Sequence, residues 1–139
     1  MRIVSSLLVL FVLASCQEYK VELSKDLNKF QCPQKDNCLS SKDTGESNIL
    51  YFKMMGEDES QNILNISKLV KKLDAVSIKT IEKNYLHVEK DGVHLEFLAN
   101  RGDRKIHIRS QASKSSLTGS NNGKKLIEEI RFKFYQNDY

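Results

Sequence analysis

Asp91-Gly92 stands between two runs of alternating apolar residues, Asn84 to Lys90 and Gly92 to Ala99. That dipeptide suits the two-residue turn whose central residues both take positive φ, so it predicts a hairpin and fixes its register. Lys90 then pairs with Val93, Val88 faces Leu95, and Leu86 faces Phe97. A second turn cluster, Asn100-Arg101-Gly102-Asp103, precedes a run from Arg104 to Ser110. Pairing Ala99 with Arg104 sets Leu95 opposite Ile108 and Phe97 opposite Ile106. All six apolar side chains then share one side, as a sheet with one covered face requires.

The rest of the chain supplies the cover. Ile63, Ile66, Leu69, Val70 and Leu73 recur at helical spacing, predicting a helix over 60–73. Ser60 is its expected N-cap, with Glu57, Asp58 and Glu59 near the positive end of the dipole. Leu126, Ile127, Ile130 and Phe134 predict a second helix over 125–134, with Lys125–Glu129 and Glu129–Lys133 pairs four apart. Its end, Ile130 to Phe134, also alternates like a strand, and the helix is preferred. Ile49 to Lys53 and Val76, Ile78, Thr80 have strand character, while 35–47 and 111–123 read as polar loops. The expected fold is α+β: an antiparallel sheet of about five strands in β-α-β-β-β-β-α order, with two helices on one face.

The first residues carry an address. Arg2 is the only charge before Glu18, and Ile3 to Leu13 is apolar apart from Ser5 and Ser6. A charged start and a short apolar run describe an export signal; the run is too short for a spanning helix of about 20 residues. Leu13-Ala14-Ser15-Cys16 resembles the bacterial lipobox, which implies diacylglyceryl modification of Cys16 and cleavage before it. Acyl chains contribute about 0.8 kcal/mol per buried methylene, so two or more make a stable anchor. The plainer alternative is a secretory signal cut after Ala14-Ser15, with Cys16 coincidental. The lipoprotein reading is preferred and divides the chain into signal peptide 1–15, tether 16–29 and a single domain 30–139. Gln17, rather than Asp, after the cysteine favours the outer over the inner membrane, on the periplasmic side.

Cysteine usage agrees. With Cys16 lipidated, Cys32 and Cys38 remain as a pair, which an oxidising compartment favours bridging. Their Cys-x5-Cys spacing is neither a metal-ligand pattern nor a thiol-oxidoreductase motif. The formal net charge is +4; loss of Arg2 with the signal leaves +3. Basic and acidic residues are interspersed, unlike the clustered charge of a nucleic-acid binder.

The predicted hairpins also place all three histidines on the polar side of the sheet. One cross-strand row would read His87, Glu96, His107, and the next Glu89, His94, Arg109. Two histidines and a carboxylate could ligate zinc. Against that, strands about 4.8 Å apart would hold His87 and His107 nearly 10 Å apart on an open surface. A solvated face with cross-strand charge pairs is the preferred reading, so no metal and no cofactor is expected. Arg101-Gly102-Asp103 reads as turn chemistry, and the sequon Asn65-Ile66-Ser67 falls inside a helix. No phosphate loop, nucleophile elbow or H-E-x-x-H motif is present.

Two segments resemble the DUF1499 family. Cys32-Pro33-Gln34-Lys35-Asp36-Asn37-Cys38-Leu39-Ser40-Ser41 is similar to its opening motif, and Ile106 to Lys114 to its late strand with an Arg-Ser pair. The resemblance covers roughly residues 30–134 and implies an exported domain with no assigned reaction. It marks Cys32, Asn37, Cys38, Ser40, Ser41, Arg109, Ser110 and Ser113. Ser116 stands where that family carries an acid, and lysines replace its arginines after Asn121-Asn122. The expected function is that of a lipid-anchored, non-enzymatic envelope protein that binds another protein, a glycan or the lipid surface. Arg109, Ser110, Ser113, Asn37 and the 111–123 loop form the expected contact region. A hydrolase using His87, Glu96 and His107, metal-dependent or not, is the alternative.

Overall fold

A computed structural model describes residues 18–114 and 119–139. The segment expected to be a signal peptide (1–15), Cys16, Gln17 and the stretch 115–118 lie outside the described residues.

The fold is α+β, with six antiparallel strands and two α-helices. The strands are β1 (Cys38–Ser40), β2 (Phe52–Lys53), β3 (Ser77–Ile81), β4 (Tyr85–Lys90), β5 (Val93–Asn100) and β6 (Lys105–Ala112). The helices are α1 (Glu59–Lys71) and α2 (Gly119–Tyr135). The main order across the sheet is β1-β6-β5-β4-β3, and β2 joins β1 along the outer edge of β6. The extra strand, β1, comes from a segment expected to be loop. Its three residues are too few to show a period.

The first hairpin follows the predicted register, Lys90↔Val93, Val88↔Leu95 and Leu86↔Phe97. Asp91 and Gly92 both take positive φ, 51° and 78°. The second differs by two residues: Asn100 pairs with Lys105 and Phe97 with Ile108. Local bonds explain the longer turn. The Asn100 side chain accepts from the Gly102 N–H, that of Asp103 accepts from the Lys105 N–H, and Arg104 adopts a left-handed φ of 58°. A shift of two preserves which face each residue takes but changes every partner.

Leu86, Val88, Leu95, Phe97, Ile106 and Ile108 are fully buried in one core with Ile63, Ile66, Leu69 and Val70 of α1 and Ile127, Ile130 and Phe134 of α2. Both helices therefore cover the same face. Asp58, not Ser60, caps α1 by accepting from the Gln61 N–H. Asn65 and Ser67 of the sequon are buried in that helix. Helix α2 starts six residues before its predicted start, within the expected 111–123 loop. Gly123 lets it lie directly on β6, because a Cβ there would collide with the Ser110 side chain.

Candidate functional site

The opposite face of the sheet is polar in sequence and buried in structure. His87, Glu96, His107, Arg109 and Gln111 are each 5 % exposed or less, which overturns the expected solvated surface. Residues 18–31 cover its centre, at Tyr85, Glu96, Arg109 and Gln111, and most of this segment was expected to be tether. Tyr19 N–H donates to the Ser113 carbonyl at 2.8 Å, and Glu18 bridges to Lys114. Downstream, a short 3-10 turn over Leu27–Lys29, capped by Asp26, leads to fully buried Phe30.

Arg109 organises this strap. Its Nε donates to Glu96 Oε1 at 2.8 Å, Nη1 donates to the carbonyls of Lys29 and Gln31 at 3.0 Å each, and Nη2 donates to the Glu22 carbonyl at 2.7 Å. The guanidinium also lies over the Phe30 ring, 5.0 Å from its centroid. Gln111 clasps Glu22 from both sides, accepting from its N–H and donating to its carbonyl. Glu96 completes the set by accepting from Tyr85 Oη at 2.8 Å and from the Ser24 N–H at 2.9 Å. Burial, reinforced by the Glu96 carboxylate, pushes the Tyr85 pKa up, so its hydroxyl remains a donor. A planar fork with five donors suits a site offering three carbonyls and a carboxylate; lysine could not satisfy it.

The expected residues therefore take different roles. The two-residue register shift pairs Glu96 with Arg109 and not with His107. His87, Glu96 and His107 are not brought together as ligands: both Glu96 oxygens are engaged, His87 Nε2 meets His94 Nδ1 at 2.9 Å, and His107 Nε2 meets Asp103 Oδ2 at 2.7 Å. Among the described residues no group of three His, Cys, Asp or Glu side chains could hold a metal ion. The expected contact residues also face inward. Arg109 is 2 % exposed, Ser110 packs beneath Gly123, and Asn37 donates to the Ala112 carbonyl at 2.6 Å. Half-buried Ser113 donates through its hydroxyl to the Gly92 carbonyl. Cys32 and Cys38 form a disulfide, with Cα atoms 5.6 Å apart, that ties the end of the strap to β1.

One constellation had no sequence signal. The Ser41 hydroxyl lies 3.2 Å from His107 Nδ1. A carboxylate only accepts, so His107 Nε2 carries the proton shared with Asp103, leaving Nδ1 to accept from Ser41. Burial holds the His107 pKa below its ordinary value although Asp103 acts to raise it. Ser41 also has a structural task. It sits between β1 and β2, where its N–H donates to the Ile108 carbonyl and its Oγ accepts from the Ile108 N–H, both near 3 Å. It thereby completes the edge of β6 where neither short strand reaches. A cleft of about 280 Å³ opens beside it, lined by Lys42, Tyr51 and Lys105 among others. Comparison of the chain with protein-family models, curated proteins and solved structures gives no match.

Proposed function

We propose that this chain is an exported lipoprotein, anchored through acyl chains on Cys16, whose DUF1499-like domain works by binding an envelope protein or glycan and not by catalysis. The observation that supports it most is the distance from lipobox to fold. Only Gln17 separates Cys16 from Glu18, which already pairs with Lys114. The anchor would therefore lead directly into the strap that closes the polar face. Among the described residues no helix is long and apolar enough to cross a membrane; in this reading the acyl chains supply the attachment. The test is fractionation with metabolic fatty-acid labelling. The native chain should take up label and sediment with membranes, and Cys16→Ser should do neither. A Cys16→Ser chain that is still processed and membrane-bound removes the lipid reading and leaves export. In-cell crosslinking tests the binding role: replacement of residues 115–118 should change the captured partners, and an unchanged set counts against it.

The Ser41–His107–Asp103 chain favours a second reading, hydrolysis of a small ester. A fluorophosphonate should then label Ser41 in the native protein and fail to label His107→Gln. Absence of labelling in the native chain removes this reading.

A further inference from the structure

The strap does not enter the fold at an arbitrary edge. Tyr19 is held by Ser113, and Ser113 in turn bonds the Gly92 carbonyl through both its N–H and its hydroxyl. The chain therefore emerges at the end of the sheet that carries the β4–β5 turn. Helix α2 begins at this same end, since Gly123 lies against Ser110 and Val93. Two residues of chain span at most about 7 Å, so an acyl anchor two residues before Glu18 would tether this end of the sheet.

Charge is arranged to match. Lys114, Lys124 and Lys125 are exposed here, and Lys90 is half-buried beside the turn. Two adjoining clefts of about 290 and 180 Å³ share Asp91, Val93 and Asn122; Lys90 and Lys125 line the first and Lys114 the second. Asp91 and Glu129 belong to the same surface and partly offset the lysines. The acidic run Glu57-Asp58-Glu59 lies at the other end of β5, in a cleft it shares with Lys83 and Arg101, and Glu57 and Glu59 both engage Arg101. Eight extended residues put these ends about 24 Å apart.

We propose that the surface formed by Lys90, Lys114, Lys125 and Asn122 rests on the bilayer and takes the phosphates of anionic lipid headgroups, with the Glu57–Glu59 end turned away. This rests on the lipid anchor proposed above and adds an orientation to it. Lysines within a Debye length of an anionic leaflet are each attracted by it, and the acyl anchor holds them in range.

Two experiments separate the orientation from the anchor. In the first, the mature Cys16→Ser chain, which needs no lipid, is sedimented with phosphatidylglycerol-containing or purely phosphatidylcholine vesicles. Binding should require phosphatidylglycerol and fall about tenfold or more when Lys90, Lys114 and Lys125 are all changed to Glu. Equal binding to both vesicles, or an unaffected triple variant, overturns the surface whether or not Cys16 is acylated. In the second, the lipidated chain is reconstituted with a fluorophore at position 122 or 101 and a headgroup-attached quencher. Position 122 should be quenched and position 101 spared, and the triple variant should lose that difference while remaining anchored. Equal quenching at the two positions overturns the orientation without touching the anchor. Inorganic phosphate supplies the remaining arm. Resonance shifts at Lys114 and Lys125 with free phosphate, but none with phosphatidylglycerol vesicles, would identify a soluble-anion site and refute the membrane assignment.

Discussion

The two faces of the central sheet are both buried, but different forces bury them. One carries Leu86, Val88, Leu95, Phe97, Ile106 and Ile108 beneath two helices. The other carries Tyr85, Glu96, Arg109 and Gln111 beneath a strap that is mostly irregular chain, with His87 and His107 buried on the same face. Packing on the first face is non-directional, and any apolar side chain of suitable volume contributes. On the second, each group needs a particular partner, and no buried side-chain nitrogen or oxygen among the described residues lacks one. The first face makes the fold stable. The second fixes one path for residues 18–31.

The largest expected effects break each face at its centre, and they differ in how they can be rescued. Phe97→Ala should cost about 3–5 kcal/mol through lost burial and a residual cavity. Glu96→Ala should cost a similar 3–5 kcal/mol, because it strands a buried guanidinium. Denaturant unfolding measures both. The double variant Glu96→Leu/Arg109→Met should then recover most of the loss, as apolar replacements of buried ion pairs often do. It should not restore the strap, since the carbonyls of Lys29 and Gln31 have lost their donor and that of Glu22 keeps only Gln111. Hydrogen exchange should be fast over 19–31 and slow in both helices. A protected strap in the double variant would show that Phe30 packing, not Arg109, holds it down.

The disulfide tests the same division at smaller scale. A loop as short as the one Cys32 and Cys38 close is worth about 2–2.5 kcal/mol by chain entropy. Cys32→Ser/Cys38→Ser should lower stability by that amount and raise protease sensitivity near residue 31, with the helical face unchanged. On the helical side, Gly123→Ala should cost about 1–3 kcal/mol by pressing α2 away from Ser110. Gly123→Ala combined with Ser110→Gly should recover part of that. If Gly123→Ala alone is neutral, the close approach of α2 to β6 is not what positions the helix.

The same contrast explains what could be read in the sequence. The apolar face was legible because its period is local: Asp91-Gly92 set one register, and the six apolar residues agreed on a side. Even the misplaced second turn kept every residue on its face, since the shift was two. The partners were lost with it, and with them the Glu96–Arg109 pair, because nothing near Asn100 announces that Arg104 will take a positive φ. The strap was illegible for a different reason. Residues 18–31 have no period, since they bind through backbone carbonyls, and every residue has one. Nor does alternation distinguish a polar face in water from a polar face beneath a peptide. The Ser41–His107–Asp103 chain depends on the same corrected turn and on a β1 strand too short to predict.

The smallest expected effect is a pH dependence confined to the polar face. Burial holds the pKa values of both His87 and His107 below their ordinary value; His94 and Lys79 add to this for His87, and Lys42 and Lys105 for His107, while Glu89 and Asp103 oppose it. In the unfolded chain both should titrate near 6.5. Between the depressed folded value and 6.5 the unfolded state binds more protons, so stability rises with pH in that window. It is fully present above about pH 6.5 and is lost as pH falls toward the folded values. The geometry says where the loss should appear. A proton on His107 Nδ1 opposes the hydrogen of the Ser41 hydroxyl, and a proton added to His87 enters a buried ring. Thermal unfolding midpoints should decline from pH 7 to pH 5, and His87→Gln/His107→Gln should flatten that slope. Exchange at mildly acidic pH should rise first around Ser41 and β4, ahead of α1 and α2. A slope unchanged in the double variant would place the acid sensitivity in carboxylates elsewhere, and simultaneous loosening of both faces would show that they unfold as one unit.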